Sequence, residues 1–121
     1  MSASDFRDLE VWKKSRAMAI NVYGLTDKGA LARDFGLKDQ MRRAAVSICS
    51  NIAEGNERGT DRDTVRFLQI AKGSSAELLA QADIAAAVGY LTQEESEKLT
   101  EDCKEVGRML GGLIKYRQSL S

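Results

Sequence analysis

The sequence predicts an all-α fold, an up-down antiparallel four-helix bundle, and three observations support this prediction. Apolar residues recur at steps of three and four along four segments, as on the buried face of a helix. The chain contains no proline, so no residue of that type interrupts a long helix. No segment alternates apolar and polar residues in the manner of a strand. At 121 residues the chain fits one domain, residues 1–121, with a single core.

The first helix is predicted over about residues 8–27 and the second over about residues 37–54. Gly29 and Gly36 mark the loop between them. The core-facing residues of the first segment are Val11, Ser15, Met18, Val22 and Leu25. Those of the second segment are Met41, Ala44, Ala45, Ile48, Cys49 and Ile52. The composition of residues 55–59, with a glycine at each end, predicts a turn after the second helix.

The third helix is predicted over about residues 61–88. Thr60 with Asp63 three residues later can cap its start, and Gly89 ends it. Its core-facing residues alternate at steps of three and four: Leu68, Ala71, Ser75, Leu78, Ala82 and Ala85.

The fourth helix is predicted over about residues 93–117. Thr92 and Glu95 form a capping box at its start, because the hydroxyl and the carboxylate can each bond the other residue's backbone N–H. The apolar spacing continues through Leu99, Cys103, Val106, Leu110 and Leu113.

Charge and hydropathy limit the partners that the chain can have. Eighteen Lys and Arg residues balance eighteen Asp and Glu residues, so no overall positive field attracts nucleic acid, and charge-driven binding has to be local. Residues 1–7 lack the basic-then-apolar pattern of a signal peptide. No apolar run reaches the roughly 18 to 20 residues that span a bilayer. We therefore expect a cytoplasmic protein without a membrane partner.

The sequence carries few residues suited to catalysis or metal binding. It contains no histidine, which removes the commonest general base and the commonest metal ligand. Residues 72–75 have the residue types of a phosphate-binding loop in the wrong order. Cys49 and Cys103 stand far apart, which favours two reduced thiols acting as small core residues. We expect no catalytic residue, no cofactor and no metal, and an enzyme is the weakest of three interpretations.

A polar stripe on the second helix is the first candidate site. Arg43, Ser47, Ser50 and Glu54 share one side of the helix, opposite its apolar residues. Short hydroxyl side chains are poor helix formers, and long charged residues are the ordinary choice for an exposed face. The stripe therefore favours packing against another surface, and an ordinary exposed face is the alternative.

A second apolar stripe on the third helix is the other candidate site. Ile70, Ile84 and Val88, with Glu77 and Gln81, lie to one side of the core-facing residues. A monomer would leave the three apolar side chains partly in water, and burying each contributes about 1.5 to 3 kcal/mol. The stripe predicts self-association, and a wide core stripe in a monomer is the alternative.

Four arginines form a possible nucleic-acid site. Arg58, Arg62 and Arg66 are spaced four residues apart, and Arg42 is expected nearby. Their neighbours include the acids Glu57, Asp61 and Asp63, and no exposed aromatic residue is expected beside them for base stacking. Ion pairing within and between chains is favoured over phosphate binding.

Residues along nearly the whole chain resemble a known family. The first of them are Phe6, Arg7, Asp8, Leu9, Val11, Trp12, Val22, Tyr23, Leu25 and Thr26. The longest run is residues 43–55, Arg-Ala-Ala-Val-Ser-Ile-Cys-Ser-Asn-Ile-Ala-Glu-Gly. Later ones are Phe67, Leu68, Ala71, Gly73, Ser74, Glu77, Leu78, Gly89, Tyr90 and Leu91. The chain is similar to the bacterial four-helix bundle proteins encoded in intervening sequences of large-subunit ribosomal RNA genes, the 23S rRNA intervening-sequence protein family.

The resemblance implies a homopentamer of four-helix bundles arranged as a barrel, with no known catalytic activity. A related branch comprises accessory proteins of diversity-generating retroelements, which are strongly basic and bind a reverse transcriptase and nucleic acid. The leading interpretation is a non-enzymatic scaffold or adaptor that binds itself and a protein partner. The residues expected at packing and subunit contacts are Arg43, Ser47, Asn51, Glu54 and Glu77. The alternative is a nucleic-acid-binding accessory protein with a local basic patch on the assembled oligomer. That patch would consist of Arg42, Arg58, Arg62 and Arg66.

Overall fold

Four α-helices build the protein in a computed structural model that describes residues 5–120. They are α1 Glu10–Leu25, α2 Phe35–Asn56, α3 Asp61–Ala87 and α4 Gln93–Leu120, with 3-10 turns at Phe6–Asp8 and Leu31–Arg33. No strand occurs in this part of the chain. The all-α prediction is confirmed, while residues 1–4 and 121 of the predicted domain lie outside the described residues.

The helices form an up-down bundle in which neighbours along the chain also pack side by side. α2 packs against α1 and α3, α3 packs against α4, and α1 closes the bundle against α4. α1 has 16 residues, whereas α2, α3 and α4 have 22, 27 and 28. The extensive contacts of the bundle are therefore those that join α2, α3 and α4, and α1 lies against them over a shorter length.

The core contains the residues that the apolar spacing assigns to it except Cys49 and Leu113, and it also includes Leu31, Leu91 and Ile114. Met18, Ile48, Leu68 and Leu110 are among the side chains removed completely or almost completely from solvent. Cys49 is only half-buried, because it lies at the edge of α2 rather than on its core-facing side. Ile114, not Leu113, occupies the last core position of α4, and Leu113 packs against the core from its edge.

Local hydrogen bonds set the starts of α3 and α4 where the sequence predicts them, whereas α4 continues to Leu120, past the predicted residue 117. Thr60 Oγ1 accepts from the backbone N–H of Asp63 at 3.2 Å. The Thr92 and Glu95 side chains each accept from the other residue's backbone N–H, at 3.1 and 2.9 Å, as a capping box requires. Gly89 adopts a φ of +85°, the left-handed conformation that ends α3.

The limits of α2 differ from the prediction at both ends. The helix begins at Phe35, before the predicted residue 37, because the Asp34 carboxylate accepts from the backbone N–H of Leu37 at 3.2 Å and caps it. It continues to Asn56, so Gly55 is a buried helical residue and not part of a turn. A Cβ at Gly55 would lie 3.3 Å from the Cβ of Phe67, which shows that α2 and α3 approach closely there.

A polar contact ties the end of α1 to α2. The Thr26 hydroxyl is buried and donates to the carbonyl of Val22 at 2.7 Å. The same oxygen accepts from Nε of Arg42 at 2.8 Å, and the Arg42 guanidinium lies 4.4 Å from the ring centre of Tyr23. Arg42 therefore joins two helices instead of facing solvent with the other predicted arginines.

Candidate functional site

α2 and α3 run antiparallel along a seam that two hydrogen bonds define. The Ser47 and Ser74 hydroxyls lie 2.9 Å apart, and the buried Thr64 hydroxyl donates to the carbonyl of Gly55 at 2.9 Å. Residue numbers rise along α2 while they fall along α3 between these two contacts. The polar stripe predicted on α2 and the apolar stripe predicted on α3 therefore border the same seam.

The polar stripe separates into an inner pair and an outer pair. Ser47 and Asn51 are half-buried, and the Asn51 amide donates to both the carbonyl and the hydroxyl of Ser47, at 2.9 and 3.1 Å. Arg43 and Glu54 are exposed, and Arg43 binds Asp39 one helical turn away at 2.7 Å. The hydrogen bond to Asp39 is the main cause that raises the pKa of Arg43, and the charge of Asp39 adds to it. The inner pair stabilises the packing of α2 against α3, whereas the outer pair lies in solvent at the edge of the seam.

The apolar stripe on α3 is exposed to solvent in the single chain. Ile70, Ile84 and Val88 are 45%, 54% and 58% exposed. Glu77 lies seven residues from each isoleucine and therefore on the same line along the helix, and it forms no ion pair within residues 5–120. We call Ile70, Glu77, Ile84 and Val88 the α2–α3 face. In a wide core stripe these three apolar side chains would be buried within the single chain, and they are not.

A buried acceptor lies one turn beyond Glu77. Gln81 is 7% exposed, and its Oε1 has no hydrogen-bond donor among the residues that the structure describes. Leaving a buried polar atom unsatisfied costs about 1 to 3 kcal/mol, so nearly all such atoms in folded proteins are paired. The seam next to the α2–α3 face therefore contains a buried acceptor that nothing in the described chain satisfies.

A second apolar surface, which the sequence analysis missed, crosses α1 and α2. Ile20 and Tyr23 of α1 and Val46 of α2 are exposed. Tyr23 lies under Arg42, where α1 and α2 adjoin. This register places Val46 level with Ile20. We call Arg16, Ile20, Tyr23 and Val46 the α1–α2 face.

The structure brings together three of the four predicted arginines and leaves the fourth apart. The Arg58 and Arg66 guanidiniums lie 4.5 and 4.7 Å from the ring centre of Phe67, and exposed Arg62 precedes Arg66 by one turn. Arg42 is separated from this group by roughly 20 Å of helix. The ring beside the cluster, Phe67, is half-buried where α2 and α3 converge, so it is not an exposed aromatic of the kind that base stacking needs.

The acids around this cluster also differ from those expected. Arg58 pairs with Glu54, at 2.5 Å, and not with Glu57. Asp61 pairs with Arg117 of α4. The i to i+4 spacing of Glu54 and Arg58 could have revealed the first pair. The second joins residues far apart in sequence, which no local spacing reveals.

A metal site and a membrane-spanning helix each place requirements on the described residues. Residues 5–120 contain no group of three or more His, Cys, Asp or Glu side chains placed to hold a metal ion. A surface groove between α1 and α4 is lined by acids and bases together, and Lys14 and Asp102 pair across it at 3.6 Å. In the same residues, no helix is long and apolar enough to cross a membrane.

Both cysteines are free thiols with a raised pKa. Burial raises the pKa of Cys49 to about 11 and that of Cys103 to about 12, against an ordinary value of 9.0. Because a thiolate is the reactive form, we expect both to resist alkylation by iodoacetamide at pH 8 in the folded protein and to react after unfolding in guanidinium. Mass spectrometry of the alkylated chain measures this, and rapid labelling of native Cys49 would contradict it.

The same pKa values give a pH dependence of stability. The folded chain holds the two thiol protons more tightly than the unfolded chain, so their contribution is complete below pH 9 and is lost as the pH rises toward 11 to 12. We expect the melting temperature to fall between pH 8 and pH 10.5. The fall in melting temperature should be smaller in a Cys49→Ala, Cys103→Ala chain, which serves as the control. An equal fall in both chains would show that the two thiols do not cause this pH dependence.

Comparison with known proteins places most of the chain in one group. A sequence model described as 23S rRNA-intervening sequence protein matches residues 7–112. The crystal structure of a protein with unknown function from the S23 ribosomal protein family of Bacteroides thetaiotaomicron VPI-5482 is similar, with a TM-score of 0.80 and 25% sequence identity. The similarity covers 87% of this chain and 98% of that chain. No curated protein matches the sequence.

Proposed function

The chain belongs to the 23S rRNA-intervening sequence protein family, and on that premise we propose that it is a non-enzymatic, cytoplasmic homo-oligomer that acts as a scaffold or adaptor. The α2–α3 face is its subunit interface, and the assembly contains five chains. Arg43, Glu54 and Glu77 lie at the rim of the contact, while Ser47 and Asn51 fix the packing of the two helices that form it.

One observation carries this proposal: three large apolar side chains are exposed along a single side of α3. Ile70, Ile84 and Val88 are each about half exposed, and they lie on one side of α3 and its C-terminal cap. Single exposed apolar residues are normal, whereas several on the same side of one helix favour an interaction surface. Because each side chain is already about half buried, covering it contributes roughly half of the about 1.5 to 3 kcal/mol that full burial of an exposed side chain is worth.

The polar groups around the line support an interface between proteins rather than a catalytic site. Arg43 and Glu54 are already paired within the chain, as is usual at the solvated rim of an interface. Gln81 supplies a buried acceptor without a donor, which is typical of a surface that a second molecule completes. None of these groups forms a nucleophile and base pair.

The mass of the purified protein in solution tests the proposal. Light scattering at micromolar concentration should give about five times the chain mass of 13.3 kDa. An Ile84→Ser, Val88→Ser chain should dissociate at a concentration at least about 100-fold higher, because each subunit loses two buried anchors. Tyr116→Ser, at an exposed aromatic residue of α4, is the matched control and should keep the native mass.

Circular dichroism separates loss of assembly from loss of folding. Both variants should keep the helical signal of the native chain, because none of the substituted residues lies in the core. A monomeric native protein at micromolar concentration would overturn the proposed assembly. A dimeric native protein would overturn only the proposed stoichiometry of five chains.

Nucleic-acid binding is the second candidate function, and the cluster at Phe67 favours it. Arg58, Arg62 and Arg66 lie at one end of the seam, and in an oligomer each subunit would present a copy. Repeated weak contacts gain affinity through multivalency. Against this candidate, Glu54 already neutralises Arg58, and the stacking of Arg58 and Arg66 on Phe67 leaves less of each guanidinium for phosphate.

We expect duplex and single-stranded probes not to bind appreciably near physiological salt, as measured by fluorescence polarisation. Binding at low salt should weaken with a log-log slope of roughly 0.9 per duplex phosphate or about 0.7 for single strands. An Arg62→Ala, Arg66→Ala chain should show a shallower slope. Tight binding near physiological salt that disappears in this variant would favour the second candidate over the scaffold.

A further inference from the structure

A surface groove of about 470 Å³ lies between α3 and α4, on a different side of α3 from the α2–α3 face. Three small residues, Gly73, Ala76 and Gly107, line the groove and keep it open. Leu79 lies toward one end and Lys72 toward the other, seven residues apart on the helix, a distance of about 10 Å. The groove can therefore hold an elongated small molecule along the helix axes.

The floor of the groove contains a hydroxyl without a hydrogen-bond partner. Ser75 is 4% exposed, and its Oγ lies 3.5 Å from the position that a Cβ at Gly107 would take. Within residues 5–120 this hydroxyl forms no hydrogen bond. Ser15 is also buried, but its hydroxyl donates to the carbonyl of Val11, one turn earlier, at 2.7 Å. A buried hydroxyl that lacks this usual local bond and opens into a groove is available to a ligand.

Two lysines flank the groove, Lys72 on α3 and Lys104 on α4. Neither ammonium group forms an ion pair with an acid of the described chain. The residues one turn from Lys72 on α3, at positions 68, 69, 75 and 76, include no acid. Glu101, one turn before Lys104, lines the groove between α1 and α4 instead. Both charged residues that line the groove between α3 and α4 are thus basic, in a chain whose net charge is zero.

The lining of the groove favours a carboxylate over a phosphate. Phosphate sites commonly use arginine side chains or the free backbone N–H groups at the start of a helix. This groove lies in the middle of α3 and α4, where the backbone N–H groups are bonded within the helices, and no arginine lines it. An ammonium group and a hydroxyl can bind a carboxylate, while Ala76 and Leu79 offer apolar contacts to a hydrocarbon chain.

We propose that the groove between α3 and α4 binds an aliphatic monocarboxylate. Its carboxylate accepts from the Ser75 hydroxyl and is held between Lys72 and Lys104, and its chain lies along Ala76 and Leu79. The ligand supplies the partner that the buried hydroxyl lacks and the charge that the two lysines lack. This site is separate from the proposed subunit interface and does not depend on the number of chains in the assembly.

Titration of the full-length chain with sodium octanoate tests the proposal, followed by NMR of the deuterated, ¹⁵N-labelled protein. The amide signals of Gly73 and Gly107 should shift and saturate, with a dissociation constant in about the millimolar range for so small a ligand. Acetate lacks the chain, inorganic phosphate lacks the chain and the carboxylate, and octylammonium carries the opposite charge. Each of these three should bind at least about tenfold more weakly than octanoate.

Substitutions at the two lysines test the charge of the site. Lys72→Gln and Lys104→Gln should each raise the dissociation constant of octanoate about fivefold, because each removes a cation from the groove. Lys115→Gln, at an exposed lysine of α4 outside the groove, is the matched control and should leave the constant unchanged.

Serine substitutions separate binding from folding. Ser75→Ala should raise the dissociation constant about threefold without lowering the melting temperature, because it removes a buried hydroxyl that has no partner. Ser15→Ala removes a bonded hydroxyl, so it should lower the melting temperature and leave octanoate binding unchanged.

Three results would overturn the proposal. They are the absence of a saturable shift at Gly73 and Gly107, octylammonium binding as tight as that of octanoate, and octanoate binding that the lysine substitutions leave unchanged. The mass of the native protein in solution is measured independently of octanoate, so failure of this site leaves the proposed assembly standing, and the reverse also holds.

Discussion

Replacing Gly55 with leucine is expected to lower the free energy of unfolding by about 3 kcal/mol or more, the largest loss from one added side chain. A Cβ alone would lie 3.3 Å from the Phe67 Cβ and 3.4 Å from the Thr64 carbonyl oxygen. Both of these atoms are on or next to the backbone, so they cannot swing aside. The remaining carbons of leucine have to push α2 away from α3, which also stretches the buried bond from the Thr64 hydroxyl to Gly55.

Gly112→Leu is the matched control, because nothing lies within 4 Å of a Cβ built at that helical glycine. Removing a glycine from a helix interior should stabilise the chain by about 1 kcal/mol. Urea denaturation measures the free energy of unfolding of both variants, which should fall for Gly55→Leu and rise for Gly112→Leu. A stable Gly55→Leu protein would mean that the two helices can separate at low cost.

Truncation of Leu68 to alanine is expected to cost about 2 to 5 kcal/mol, because the side chain is completely buried where α2 and α3 converge. The loss combines the transfer of the missing carbons with the cavity that they leave. In a domain of this size the total stability is about 5 to 15 kcal/mol, so the melting temperature should fall steeply.

Leu120→Ala controls for the chemistry of the substitution, since Leu120 is exposed at the end of α4. Its effect should stay within about 0.5 kcal/mol. Equal melting temperatures for the Leu68→Ala and native chains would show that the core relaxes fully around the deletion, contrary to the close packing described here.

Local signals in the sequence predict those features of the fold that depend on neighbouring residues. Thr60 and Thr92 identify the starts of α3 and α4, because each cap involves a residue only three positions away. Gly89 identifies the end of α3 for the same reason. Asp34 caps α2 in the same manner, but its acceptor role was not recognised, so the helix starts two residues earlier than predicted.

Features that depend on two helices could not be predicted from one helix at a time. Gly55 resembles a turn residue in sequence, and its role at a close helix contact exists only when α3 is present. The direction of Arg42 depends on Thr26 of α1. The α1–α2 face went unnoticed because only Ile20, Tyr23 and Val46 compose its apolar part, and no periodic pattern within one helix joins them.

The unequal helix lengths determine which part of the bundle opens first. α1 is the shortest helix, it packs over the least length, and the nine residues 26–34 that join it to α2 include Gly29 in a left-handed conformation. Parts of a protein with fewer buried contacts unfold locally at a lower free energy than the rest. We therefore expect α1 to open at a lower free energy than α2, α3 and α4. Because α1 carries Arg16, Ile20 and Tyr23, its opening would disrupt the α1–α2 face and leave Ile70, Ile84 and Val88 of α3 in place.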